Sequence, residues 1–184
     1  MTTAMTSLST ARLRLRPFEA SDLAALARIT RDPDVMRFIG RTGRPLNEEQ
    51  TARTLRFFQD LWVERGLGVW AVEERPDARL MGWCGFFPLD GTSDIELAYL
   101  LDRSAWGRGF ATEAAWAALK WAFGEGRLER VVAVTYPENT PSRRVLEKLG
   151  FVNEGLRQYY ERDVAFYELP ARNFPLGLSS TGGA

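Results

Sequence analysis

The 184-residue sequence contains no histidine and only one cysteine, Cys84. Without histidine, the Ser-His-Asp and Cys-His catalytic arrangements and every histidine-containing zinc site are excluded. One cysteine can form neither an intrachain disulfide nor a thiolate zinc site, so we expect no metal and a reducing, cytoplasmic location. Cys84 lies in an apolar segment and is expected to be buried and inert. Proton transfers in an enzyme of this composition must use Glu, Asp, Tyr, Ser, Lys or water.

The sequence also has no excess of charge of either sign, because 24 Lys and Arg residues balance 24 Asp and Glu residues. We therefore expect neither nucleic acid nor an acidic membrane as a partner. No apolar run is long enough to span a bilayer, and Met1–Thr10 lacks the layout of a secretory signal. The length fits one domain, predicted at 10–175, between a flexible N-terminus at 1–9 and a flexible tail at 176–184.

Hydrophobic periodicity, together with turn and cap residues, predicts alternating strands and helices. Ser21 is expected to cap the first helix, and Thr140 with Pro141 to begin the last one. The order predicts an α/β (α+β) fold with a mixed, mostly antiparallel central sheet and flanking helices, including one right-handed parallel crossover between 95–101 and 130–135. The expected strands are 11–16, 69–73, 80–87, 95–101, 130–135, 151–158 and 164–169, and the expected helices are 21–29, 48–65, 111–123 and 140–149.

The turn Trp106–Ala114 lies between an expected strand and an expected helix. Backbone N–H groups at a helix start have no intrahelical acceptors, and together with the helix dipole they favour a phosphate. Gly107 and Gly109 lack Cβ atoms, so the backbone can approach an anion closely, and Arg108 adds positive charge. The alternative interpretation is a tight structural turn that leads into a helix with a buried alanine face.

Several segments, in this order, resemble the GNAT superfamily of N-acetyltransferases, and within it the branch of ribosomal-protein (N-terminal alanine) acetyltransferases. The family motif has Gln or Arg, two residues, Gly, one residue, and then Gly or Ala. Gly109 and Ala111 match this motif, whereas Trp106 replaces its first residue with an aromatic residue that is typical of that branch. The resemblance covers about residues 10–169, and its further matching segments are 10–17, 96–101, 139–142 and 147–151.

The resemblance implies the GNAT fold, in which two parallel strands splay apart and acetyl-coenzyme A binds between them as a co-substrate. The pantetheine arm would pair with the first of these strands like an added strand, and the pyrophosphate would lie on the amides of the turn. Asn139 would bond the coenzyme arm or the helix start, and Ser142 would lie near the sulfur. Arg143 or Arg144 would reach an outer phosphate, or would belong to a solvated helix face. The residues expected to bind the coenzyme are Leu97, Tyr99, Leu100, Leu101, Trp106, Gly107, Arg108, Gly109, Phe110, Ala111, Thr112, Asn139, Ser142 and Arg143.

The implied reaction is direct transfer of an acetyl group to a primary amine, which must be neutral to attack. Glu96 is the expected base, acting through water, with Asp94 as the second choice. The competing interpretation is that Glu96 only pairs with an arginine. Ser142 is expected to donate a hydrogen bond to the leaving thiolate, with Tyr136 in reserve. A backbone N–H within residues 99–101 would stabilise the oxyanion.

The sequence leaves the substrates and the assembly open. The acceptor is a protein N-terminus or a small-molecule amine, such as an amino acid, a polyamine or an antibiotic. The donor is acetyl-CoA or a larger acyl-CoA such as succinyl-CoA. A second hypothesis is a coenzyme-binding regulatory module without catalysis, which the presence of both Glu96 and Ser142 disfavours. A homodimer that pairs C-terminal strands is an alternative to a monomer, by analogy with relatives.

Overall fold

The computed structural model describes residues 6–175. In this part of the chain, strands and helices alternate broadly in the predicted order. The strands are β1 (Leu8–Ser9), β2 (Leu13–Arg16), β3 (Val69–Glu74), β4 (Arg79–Pro88), β5 (Ile95–Leu101), β6 (Arg130–Thr135), β7 (Val152–Tyr159) and β8 (Arg162–Pro170). The α-helices are α1 (Leu23–Thr30), α2 (Pro33–Met36), α3 (Glu48–Arg65), α4 (Phe110–Phe123) and α5 (Thr140–Lys148).

The strands form one sheet in the spatial order β1-β2-β3-β4-β5-β6-β8-β7. Neighbouring strands are antiparallel, except for β5 and β6, which are parallel and are connected through α4. The predicted fold class, a mixed and mostly antiparallel sheet with one parallel strand pair and flanking helices, is confirmed.

The parallel strands β5 and β6 diverge soon after they meet. Within the described residues, their register is defined only at Glu96 and Val132. By contrast, β5 pairs with β4 along its whole length, from Ile95 opposite Pro88 to Leu101 opposite Gly82. The C-terminal half of β5 therefore has a strand neighbour on one side and a cleft on the other.

Capping residues explain the bounds of α3. The Asn47 side chain accepts a bond from the Gln50 N–H at 2.8 Å, and the Gln50 side chain accepts one from the Asn47 N–H at 2.9 Å. This reciprocal pair satisfies two donors that the helix start leaves free. Gly66 ends the helix in the left-handed conformation, with a φ of 66°. The predicted helix over 48–65 is confirmed.

Two predicted helix caps are wrong. Asp22, rather than Ser21, is the N-cap of α1, because a turn of 3-10 helix precedes it. Asn139, rather than Thr140, is the N-cap of α5, because its Oδ1 accepts a bond from the Ser142 N–H at 3.3 Å. An asparagine side chain two residues before a proline can cap a helix as well as a threonine can.

The paired chain begins earlier than predicted. Leu8–Ser9, inside the segment 1–9 that was expected to be flexible, pair with β2 as the short outer strand of the sheet. Residues 1–5 and the predicted tail, 176–184, lie outside the described residues. No helix between residues 6 and 175 is long and apolar enough to cross a membrane.

Two large hydrophobic clusters hold the sheet and helices together. In one, α4 packs on the strands around Trp62, Trp70 and Trp121, whose ring centroids lie 4.8 to 5.6 Å apart. Cys84 belongs to this cluster and is buried, as predicted, and burial raises the pKa of its thiol. The other cluster packs α1 and α3 against the sheet and includes Phe58. Together they hold β4 and β5 in place beside the cleft.

Candidate active site

Two cavities open where β5 and β6 diverge. The smaller cavity, of about 300 Å³, contains Glu96 and Tyr160. The larger cavity, of about 500 Å³, lies beside the turn that leads into α4. The two share a wall, so groups bound in each would meet there. The shared residues are Phe38, Ile39, Tyr99, Asn139 and Ser142.

The turn before α4 presents its backbone to the larger cavity. Gly107 and Gly109 are exposed and have φ angles of 72° and 78°, a conformation that side chains with a Cβ rarely adopt. The first N–H groups of α4, which starts at Phe110, have no acceptors within the helix. The half-exposed Trp106 donates its indole N–H to the Leu101 carbonyl at 2.9 Å. This bond ties the turn to the end of β5 and leaves an electropositive backbone facing the cavity.

Ionic contacts behind the turn hold it in place. The side chain of Arg108 lines neither cavity. Its guanidinium pairs with Glu74 at 2.5 Å and lies 4.3 Å from the centre of the Phe110 ring. The Arg108 carbonyl accepts a bond from Arg12 Nη1 at 2.9 Å, and Arg12 also pairs with Glu113 at 2.6 Å. The charge expected from Arg108 is therefore used within the fold, whereas its amide stays in the predicted phosphate turn.

On α5, the geometry favours Arg144 over the predicted Arg143. The Nε of Arg143 donates to the Tyr167 hydroxyl at 3.0 Å, and its Nη1 donates to the Pro137 carbonyl at 3.3 Å. Arg144 and Lys148, one helical turn apart, line the larger cavity. Successive helix residues point about 100° apart, so a shift of one position decides which side chain faces the cavity.

Glu96, on β5, provides the carboxyl group of the smaller cavity. The residue is 4% exposed, and the Tyr160 hydroxyl donates to its Oε2 at 2.7 Å. Burial raises the pKa of Glu96 to about 8; the bond from Tyr160 opposes this rise and the nearby charge of Asp90 adds to it. No arginine pairs with Glu96 among the ion pairs of residues 6–175, so the competing structural interpretation does not describe its contacts. A carboxyl whose pKa is raised toward neutral pH is suited to act as a general base.

Tyr160 reaches Glu96 from the tight turn between β7 and β8. Tyr160 and Glu161 have positive φ angles of 54° and 61°, as both central residues of a type I′ hairpin require. Such angles are uncommon for bulky residues, and strain of this kind concentrates at functional sites. Burial, and then the charge of Glu96, raises the pKa of Tyr160, so its hydroxyl keeps its proton.

Asp94, the second candidate base, lies outside the smaller cavity. Its carboxylate pairs with Arg130 at the start of β6. Arg130 also pairs with Glu168 at 2.9 Å. Asp94 therefore takes part in a surface charge network beside the site, and the geometry favours Glu96 as the base.

Two hydroxyl groups lie in the wall that the cavities share. The Tyr99 and Ser142 oxygens are 3.0 Å apart. Burial raises the pKa of Tyr99, although the bond with Ser142 opposes the rise, so Tyr99 stays protonated and can donate. Tyr136, the predicted reserve for Ser142, donates to the Gly40 carbonyl at 2.7 Å instead. Asn139 is engaged with the start of α5, which is one of its two predicted roles.

The structure places most of the predicted residues around the two cavities. Leu97 lines the smaller cavity, whereas Arg108 and Arg143 line neither. The bonds of Glu96 with Tyr160 and of Tyr99 with Ser142 join residues 64 and 43 positions apart, and no local pattern reveals them. In the described part of the chain, no group of three or more Cys, Asp or Glu residues is arranged to hold a metal ion. The predicted residues that line the larger cavity are Tyr99, Leu100, Leu101, Trp106, Gly107, Gly109, Phe110, Ala111, Thr112, Asn139 and Ser142.

Comparison with known proteins connects this geometry to a family. Residues 12–152 match the family described as acetyltransferase (GNAT) domain. An uncharacterized N-acetyltransferase, p20 of Bacillus licheniformis, is 33% identical over 178 residues, covering 92% of this chain and 99% of the relative. The crystal structure of a GNAT-family acetyltransferase from Bacillus anthracis is 30% identical, with a TM-score of 0.76, over 91% of this chain and 99% of that one. RimJ of Mycobacterium smegmatis, solved in complex with CoA-disulfide, is 23% identical, with a TM-score of 0.80, over 94% of this chain and 91% of that one. At this identity, the similarity shows a shared fold.

Proposed function

We propose that this chain, which belongs to the GNAT acetyltransferase family and is an N-acetyltransferase, takes an acetyl group from acetyl-CoA and transfers it directly to a primary amine. The observation that carries the proposal is the meeting of the two cavities at Tyr99 and Ser142. One cavity has an anion-binding helix start, and the other has a buried carboxyl. A donor and an amine held in these cavities would react where the cavities join, with no covalent enzyme intermediate.

The larger cavity offers positively charged groups to the phosphates of the coenzyme. Its pyrophosphate would lie on the glycine turn at Gly107 and Gly109, with Arg144 and Lys148 available to a further phosphate. Its pantetheine arm would add to the open side of β5. The fold neighbour RimJ was solved with CoA-disulfide, which supports this choice of ligand. When bound, acetyl-CoA supplies the acetyl group as an activated thioester.

Glu96 accepts the proton that the amine loses when its nitrogen forms the new C–N bond. With a pKa raised to about 8, the carboxyl is a stronger base than an ordinary glutamate, so it can accept this proton near neutral pH. Tyr160 holds the carboxyl in place through its 2.7 Å bond. The base role thus depends on burial together with one positioned hydroxyl.

The hydroxyls of Tyr99 and Ser142 donate hydrogen bonds to the sulfur as the C–S bond breaks and negative charge develops there. Burial raises the pKa of Tyr99, and both hydroxyls stabilise the thiolate as hydrogen-bond donors rather than as free acids. A backbone N–H within residues 99–101 stabilises the charge on the acyl oxygen. Tyr99 thereby joins the predicted Ser142 on the leaving-group side.

Thermal unfolding with acetyl-CoA, free CoA and succinyl-CoA tests the donor. Binding to the folded state raises the midpoint, and about 100 times the Kd of a ligand adds about 2.7 kcal/mol. We expect both acetyl-CoA and free CoA to stabilise, because the larger cavity recognises the coenzyme rather than the acyl group. Turnover with succinyl-CoA in preference to acetyl-CoA would overturn the choice of donor.

Glu96→Gln tests the base, with Asp94→Asn as the matched control. General base catalysis contributes about 100-fold or more, so Glu96→Gln should lower thiol release by that factor while acetyl-CoA still raises the midpoint. Asp94→Asn removes a carboxylate of the same neighbourhood that pairs with Arg130, and it should keep activity within a few fold. Full activity in Glu96→Gln, or an equal loss in both variants, would contradict the proposed role.

A further inference from the structure

The smaller cavity, which on the proposed function receives the amine, has an unusual distribution of charge. Of its lining residues within the described chain, Glu96 is the sole acidic one, and none is Lys or Arg. Arginines lie near its lining residues without lining the cavity, and one of them, Arg37, lies 5.0 Å from the centre of the Phe38 ring. Arg41 pairs with Glu161 at 2.9 Å and Asp90 at 3.7 Å, and Arg162 lies over the Tyr136 ring.

This distribution admits one positive charge and no other. The ammonium of an incoming amine can pair with Glu96. A carboxylate on the same molecule, as in an amino acid, would lose its water without gaining a cation from the lining residues. A second ammonium, as in a polyamine, would find no second carboxylate among them. Burying an unpaired charge is strongly unfavourable. Both classes are therefore disfavoured by the wall itself.

Eight lining residues are aromatic, and most of the others are aliphatic. Phe57 lies in edge contact with Phe87, with ring centroids 6.4 Å apart, and Phe58 and Trp83 lie 5.3 Å apart beside them. Phe38, in the shared wall, lies with its ring centroid 6.0 Å from that of Tyr136, which lines the smaller cavity. Aromatic rings prefer tilted or edge contacts at such separations, so this wall offers a further ring several faces and edges to pack on.

The volume limits the size of the guest. At about 300 Å³, the smaller cavity is at the lower end of the range of about 300–1,000 Å³ that small-molecule sites occupy. Phe57 is 48% exposed and forms part of the mouth, so the guest enters past an apolar edge. A compact molecule with its amine at one end and a ring at the other matches the path from Phe57 inward to Glu96.

We propose that the acceptor is a compact aryl-alkyl monoamine, with one primary amine on a short chain, an aromatic group, and no second charge. This inference rests on the proposed function and narrows its acceptor. The ring packs among Phe57, Phe87 and Trp83, and the amine reaches Glu96. The wall, rather than the base, sets the specificity.

An amine panel with acetyl-CoA and thiol-release detection tests the inference. The panel compares phenethylamine and tryptamine with phenylalanine, putrescine, hexylamine and a tetrapeptide with a free N-terminal alanine. We expect kcat/KM for the two aryl amines to exceed that for phenylalanine and putrescine by roughly 100-fold or more. Preference for an amino acid, a polyamine or the peptide would overturn the inference and leave the proposed function standing. No thiol release with any amine, from protein that binds acetyl-CoA, would overturn both.

Two pairs of variants locate the specificity in the wall. Phe57→Ala should raise the KM for phenethylamine about tenfold with little change for acetyl-CoA, whereas Val63→Ala, exposed on the same helix but outside the cavity, should change neither. Thr54→Arg adds the missing cation at a partly exposed position of the wall, and Thr54→Gln is its uncharged control. Only Thr54→Arg should shift kcat/KM toward phenylalanine, by about tenfold. Unchanged preferences in both Phe57→Ala and Thr54→Arg would overturn the inference.

Discussion

Replacing Glu96 with glutamine will change how the stability of the protein depends on pH. Glu96 is 4% exposed, and burial raises the pKa of its carboxyl from 4.5 to about 8. A carboxyl with a higher pKa in the folded state binds its proton more tightly there than in the unfolded chain. Its contribution to stability is therefore fully present below pH 4.5 and is lost as the pH rises through about 8.

The size of this effect follows from the two pKa values. Each pKa unit corresponds to about 1.4 kcal/mol, so ionising the buried carboxyl lowers the free energy of unfolding by about 4–5 kcal/mol in all. The part of this loss that falls between pH 6 and pH 9 is about 2–3 kcal/mol. Glutamine keeps the size of Glu96 and can still accept the Tyr160 bond, but it cannot ionise.

Urea unfolding of both proteins between pH 6 and pH 9 measures the difference directly. Titrations common to the two proteins cancel in the difference between them. We therefore expect the free energy of unfolding of Glu96→Gln, relative to that of the wild type, to rise by about 2–3 kcal/mol from pH 6 to pH 9. Tyr160→Phe removes the hydrogen-bond donor that opposes the rise in the pKa of Glu96. In this variant the loss of stability should therefore occur at a higher pH than in the wild type. A difference that stays constant from pH 6 to pH 9 would mean that Glu96 is already ionised at pH 6, and would refute the reasoning.

Three further predictions concern activity. With an amine that is neutral throughout, kcat/KM should rise with pH up to about 8, as the base Glu96 deprotonates, and Glu96→Gln should abolish this rise. Arg12→Met should raise the KM for acetyl-CoA severalfold, because Arg12 holds the turn before α4 through the Arg108 carbonyl. The control, Arg14→Met, should leave this KM unchanged. Measuring the KM for acetyl-CoA of both variants tests the prediction. Tyr99→Phe should lower the single-turnover rate by about 100-fold while acetyl-CoA still raises the unfolding midpoint, because the sulfur loses a donor.

Local signals in the sequence were sufficient for the framework of the site. The bounds of α3, β5 and β6 agree with the prediction, because each has a clear hydrophobic period between capping or turn residues. The geometry of the glycine turn was also predictable, since the positive φ angles of Gly107 and Gly109 are a property that glycine itself permits. Short-range patterns thus predicted the strands and the turn, whereas the cleft between the strands was implied by the resemblance to the family.

Contacts between distant segments were not predictable in the same way. The hairpin that carries Tyr160 follows α5 in sequence, yet Tyr160 meets Glu96 because β8 lies beside β6 and β6 lies beside β5. The choice between Arg143 and Arg144 depends on the rotation of α5, which the cap at Asn139 helps to set. A rotation of α5 by one residue, which a helical pattern leaves undetermined, decides which of the two arginines faces the larger cavity.

The apolar wall of the smaller cavity explains both the titration of Glu96 and the selectivity that we propose. Removing water from the carboxyl raises its pKa, and the same removal penalises a guest with a second charge. A cation placed at Thr54 should therefore act on both properties, because it pairs with a guest carboxylate and favours the ionised form of Glu96. We expect Thr54→Arg to lower the pH at which kcat/KM reaches half its maximum, in addition to admitting phenylalanine. A change in acceptor preference with no change in this pH profile would show that the two properties have separate causes.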